Sequence, residues 1–108
     1  MSGADPFFIA QPSAQGTVRN AFKNVALAGT AEALVSSSAP CVSALIQAKP
    51  GNAGNVFVGG ASVPNTSDGG IVLIPGNAIN ISCSNLAQVY VNAANNGDGV
   101  TIVYWTIG

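Results

Sequence analysis

Few residues of this chain carry groups that do chemistry: two cysteines, four acids, three bases and no histidine. The cysteines are Cys41 and Cys83, the acids Asp5, Glu32, Asp68 and Asp98, and the bases Arg19, Lys23 and Lys49. Nucleophilic catalysis needs a hydroxyl or thiol beside a general base, usually an imidazole, and none exists here. Glycosidic cleavage needs two carboxyl groups at a set separation. Asp68 and Asp98 both stand in Gly/Asn-rich turns, where Asp-Gly serves the turn itself. No catalytic residue and no enzymatic activity are expected. Calcium held by Asp68, Asp98 and neighbouring Asn or carbonyl oxygens is a weaker reading. Two cysteines without histidine make a poor zinc site. The expectation is a pair of buried thiols, with a disulfide as the alternative and with no metal or cofactor.

The bases are equally restrictive. Three of them neutralise few phosphates, and glycines such as Gly51, Gly54, Gly59 and Gly60 lack the lysine of a phosphate loop. Nucleic acid is not an expected partner. No apolar run nears the length of a membrane span, and no basic stretch precedes Phe7-Phe8-Ile9 as in a signal peptide. Neither a membrane partner nor export by a standard signal is expected. Asn65-Thr-Ser and Asn80-Ile-Ser match the glycosylation sequon only as chance would produce it.

Charged residues are 6% of the 108, against about 25% in an average soluble domain. The net charge is -1, which disperses copies poorly. The polar residues are instead Asn, Ser, Thr and Gln, which hydrogen-bond at interfaces without the cost of burying a charge. The composition therefore predicts a surface covered by copies of the chain or by a partner.

The elements that must position such a surface read as β-structure. Hydrophobic residues are 48%, enough for one core in one domain. Residues 1–24 read as an extended N-terminal arm with an apolar cluster, Phe7, Phe8 and Ile9, and with Phe22 between Arg19 and Lys23. Residues 25–108 read as the domain. Asn24–Val35 is ambiguous between strand and helical turn. Val42, Ala44 and Ile46 alternate onto one face of a strand. Short strands follow at Val56–Val58, Ile71–Ile74, Ala78–Cys83, Val89–Val91 and Val100–Ile107. Ile79, Ile81 and Cys83 point inward, and Pro75-Gly76 fits the centre of a type II turn. About six or seven strands at roughly 10-residue spacing predict a single antiparallel β-sandwich or small barrel.

Ser36-Ser-Ser-Ala-Pro-Cys and Ala44-Leu-Ile-Gln-Ala-Lys-Pro-Gly-Asn-Ala-Gly-Asn-Val-Phe-Val-Gly open a segment running from Gly29 to Tyr104. With Gly70-Ile-Val-Leu-Ile-Pro-Gly and Leu86-Ala-Gln-Val-Tyr-Val-Asn-Ala, it resembles small β-rich virion proteins of tailed bacteriophages. The resemblance implies a capsid decoration, or cement, protein that stabilises the head shell by binding between capsomers. It also implies a location on the capsid surface after assembly in the host cytoplasm. The implied partners are the major capsid protein and the chain itself, as a homotrimer. Phe7, Phe8, Ile9, Phe22 and Trp105 are the expected interface residues. The alternative is a fibre, spike, tail or connector component that binds a receptor or glycan, with Tyr90, Tyr104 and Trp105 stacking on sugars.

Overall fold

The computed structural model describes residues 16–107. Their strands are β1 (Gly16–Asn24), β2 (Glu32–Ala33), β3 (Ser43–Ala48), β4 (Val56–Gly59), β5 (Ile71–Leu73), β6 (Ala78–Ser82), β7 (Tyr90–Ala93) and β8 (Gly99–Ile107). A 3-10 turn, Leu86–Gln88, precedes β7; the Asn85 side chain caps it by accepting from the Ala87 N–H at 2.9 Å. The strands form two four-stranded antiparallel sheets, ordered β1-β8-β3-β6 and β2-β7-β4-β5. The all-β sandwich is therefore as expected, and the two sheets do not close into a barrel.

Alternation builds the core. In the first sheet Ala21, Ile102, Ile46 and Ile79 stand in register across all four strands, and Tyr104, Ala44 and Ile81 form the next inward row. Val56, Val58, Leu73, Val91 and Ala93 of the second sheet meet them, closed below by Val25, Leu34 and Leu86. Full burial of each of these Val, Leu and Ile side chains contributes about 1.5–3 kcal/mol. Cys83 shares the inward side with Ile79 and Ile81, as its phase requires.

Two sequence readings are corrected. The arm was expected to run to residue 24, but Gly16–Asn24 is strand β1, paired along its whole length with β8. Its alternating apolar residues, Val18 and Phe22, face outward, so the usual apolar-inward pattern of an amphipathic strand is inverted. Phe7, Phe8 and Ile9 lie outside the described residues. Val42, expected inward with Ala44 and Ile46, is exposed. The chain bends at Val42 before β3 begins, which breaks the pleat phase there. The ambiguous 24–35 segment resolves as turns leading into the two-residue β2. At Pro75-Gly76 the expected turn is present, with Gly76 at φ 91° and the Asn77 N–H donating to the Ile74 carbonyl at 2.9 Å.

Among the described residues, one ion pair ties β1 to the second sheet. Lys23 Nζ lies 2.9 Å from Glu32 Oε1, and Glu32 Oε2 accepts from the Ala26 and Leu27 N–H groups at 3.0 and 3.1 Å. Burial raises the Glu32 pKa, but the Lys23 hydrogen bond, the two backbone donors and the Lys23 charge outweigh it and hold it below its ordinary value. A carboxyl whose folded pKa is depressed stabilises the fold above its unfolded pKa and loses that contribution as pH falls through the folded one. Thermal melts across the window below about pH 4.3 are expected to show this loss, and Glu32→Gln is expected to melt lower at neutral pH and to lose less on acidification. Parallel acid profiles for the two proteins would remove Glu32 from the account.

Candidate functional site: an open sheet face

The two sheets treat their outer faces differently, and the cause lies in the loops. On the second sheet, Phe57 and Asn92 are cross-strand partners on the side away from the core. Both are nevertheless buried, Asn92 to 1% exposure. The Asn92 Oδ1 accepts from the Gly29 N–H at 2.9 Å, and its Nδ2 donates to the Val63 carbonyl at 3.0 Å. One amide side chain thus holds the 26–30 and 60–70 loops over the sheet. Gly70 sits where a Cβ would meet the Val58 carbonyl and the Val63 side chain at 2.6 Å, so only glycine lets that loop come so close.

Among the described residues, no loop does this for the first sheet. Its outward rows are Val18–Trp105–Ser43–Ser82, Asn20–Val103–Leu45–Asn80 and Phe22–Thr101–Gln47–Ala78, with Ile107 opposite Gly16 at the end. Val18 is 61% exposed, Phe22 66% and Ile107 79%. Val103 and Trp105 are half-buried between them. None of these positions carries a charge. Arg19 and Lys23 fall in the inward rows, and Lys23 reaches the second sheet through Glu32. Lys49 touches the margin: its ammonium stands 4.8 Å from the Phe22 ring centre and donates to the Asn24 side chain at 2.7 Å. Exposed apolar residues scattered singly are ordinary, whereas here Val18, Phe22, Leu45 and Ile107 share one uncharged sheet face.

Of the expected interface residues, the fold brings Phe22 and Trp105 onto this one face, two strands sharing it through the Val18–Trp105 and Phe22–Thr101 pairs. Sequence reasoning missed Val18, Leu45, Val103 and Ile107. Their signal was the period-two spacing of Val18 with Phe22 and of Val103, Trp105 and Ile107, legible only once the inward rows are known. No protein-family model and no curated protein matches the chain.

The residues considered for chemistry are placed apart. Asp98, 7% exposed, accepts from the Ala53 and Gly54 N–H groups at 2.9 Å each and so closes the 49–54 turn. Asn52 completes that corner, donating to the Gly99 carbonyl and accepting from the Gly99 N–H. Asp68 is exposed in the loop over the second sheet. Among the described residues no three Cys, Asp or Glu side chains come together as metal ligands. Tyr104 packs against the core and Tyr90 lies in the second sheet, so neither joins Trp105 on the open face. Among the described residues no helix is long and apolar enough to cross a membrane.

Proposed function

We propose that this chain is a structural assembly protein of a phage head, a decoration protein that seats the open face of its first sheet between capsomers. The observation that carries the reading is the asymmetry of the sandwich among the described residues: the chain's own loops bury Phe57 and Asn92 on one outer face, while the other carries no charge and exposes Val18, Phe22, Leu45 and Ile107. The resemblance of the Gly29–Tyr104 segment to β-rich virion proteins supplies the setting, and the scarcity of charge agrees with a surface meant to be covered.

The mechanism is mechanical. Apolar area removed from water contributes roughly 25 cal/mol per Å² before the costs of association. A side chain such as Trp105 or Phe22 supplies much of that area with little rotamer freedom to lose. Weak contacts repeated over a shell, or joined within a trimer, then add as avidity.

Copy number in purified particles, measured by quantitative mass spectrometry against the major capsid protein, tests the proposal. About one copy per capsid subunit, or one trimer per local three-fold axis, is the expected result. A handful of copies per particle would assign the chain to a tail, connector or fibre, and absence from particles would overturn the reading.

A further inference from the structure

Cys41 and Cys83 come from segments far apart in sequence, yet their sulfurs lie 3.2 Å apart as free thiols. The backbone around them is fixed. The Cys41 N–H donates to the Ser84 carbonyl at 3.0 Å, and the neighbouring Pro40 and Asn85 form an isolated bridge. The Cys41 thiol also donates to the Cys83 carbonyl at 3.3 Å. Both side chains pack against the core from the β3–β6 end of the first sheet. They are only half-buried, and Cys83 lines a surface cleft with Gly59, Gly60, Ile81 and Val89. A reagent in solution therefore reaches Cys83 directly.

We propose that Cys41 and Cys83 are a redox-closable pair, converted by a small-molecule disulfide such as oxidised glutathione into an intrachain disulfide that staples the sandwich. The exchange balances in two steps. The Cys83 thiolate attacks one sulfur of glutathione disulfide, forming a mixed disulfide and releasing one glutathione thiolate. Cys41 then gives its proton to water and attacks the Cys83 sulfur, releasing the second glutathione. Two protein thiols are oxidised and one external disulfide is reduced to two thiols.

Geometry makes the second step intramolecular, since the resolving sulfur is already in contact. Burial, with added hydrogen bonding and charge from Cys83, pushes the Cys41 thiol up to about 12. In the mixed disulfide the Cys83 charge no longer acts and burial alone holds the Cys41 thiol up, so the resolving step quickens as pH rises. Once closed, the bond ties the segment before β3 to the end of β6 and encloses β3, β4, β5 and β6 in one covalent loop. A loop of this length restricts the unfolded chain strongly. The inference stands whether or not the chain coats a phage head.

The test uses the full-length protein incubated with oxidised glutathione at several pH values. The expected product is a monomer lighter by two hydrogens, with no free thiol after denaturation and a Cys41–Cys83 cross-linked peptide in a non-reduced digest. Its melting temperature is expected to rise by roughly 10 °C and to return on adding dithiothreitol. Cys41→Ser is expected to stop at a single glutathione adduct on Cys83 with no such rise. Two adducts on the native chain, disulfide-linked dimers, or closure without a thermal gain would each overturn the proposal.

Discussion

A Val18→Glu, Phe22→Glu double variant is expected to fold as the parent does and to lose its place on assembled particles. Both side chains stand on β1 and are more than half exposed, at 61% and 66%. Surface substitutions of this kind change stability by about 0.5 kcal/mol or less each. Glu at 22 would also face the Lys49 ammonium, which now stands over the Phe22 ring. In an interface the balance reverses. Each change removes an apolar anchor and puts a carboxylate to be desolvated in its place, at position 18 with no cation beside it. Two such losses at about 2 kcal/mol each amount to roughly 10³-fold in affinity. Thermal melts should superpose while occupancy on purified particles falls to background. Normal occupancy would remove this face from the interface and leave residues 1–15 as the remaining candidate for the contact.

The second large effect concerns the sealed face. Asn92→Leu is expected to cost about 3 kcal/mol and to lower the melting temperature by some 12–24 °C for a domain of this size. Asn92 satisfies the Gly29 N–H and the Val63 carbonyl, and its Oδ1 also accepts from the Ala93 N–H at 2.8 Å. Leucine fills the volume and takes the side-chain partner from the buried Val63 carbonyl and Ala93 N–H. The two loops it holds would lift, exposing Phe57 and the second outer sheet face. Aggregation on heating, together with increased binding of an apolar dye below the melting temperature, should accompany the loss. A variant as stable as the parent would mean that the loops hold themselves in place.

Legibility from sequence followed burial. β3 through β8 were readable because Ala44 and Ile46, Ile79 and Ile81, and Val100 and Ile102 alternate apolar-inward between turn residues. β1 was not, because its apolar side chains point to solvent and its inward positions hold Arg19, Ala21 and Lys23. A period-two signal exists there, but its sense is opposite to the one that identifies a half-buried strand. β2 is two residues long and carries no periodicity at all. Asn92 reads as a polar interruption of a strand, and its role depends on carbonyls and amides about 29 and 63 residues away in sequence. Phe22 and Trp105 were expected at an interface, while the face that unites them depends on the β1–β8 register, which no local pattern encodes.

The sealing of one sheet face and not the other makes the molecule two-sided, like a tile with adhesive on its back. In the proposed seating, copies that settle adhesive side down present the 26–30 and 60–70 loops to the solution. Under that proposal, the thickness of a layer of such tiles is set by the sandwich itself and not by how much protein is supplied.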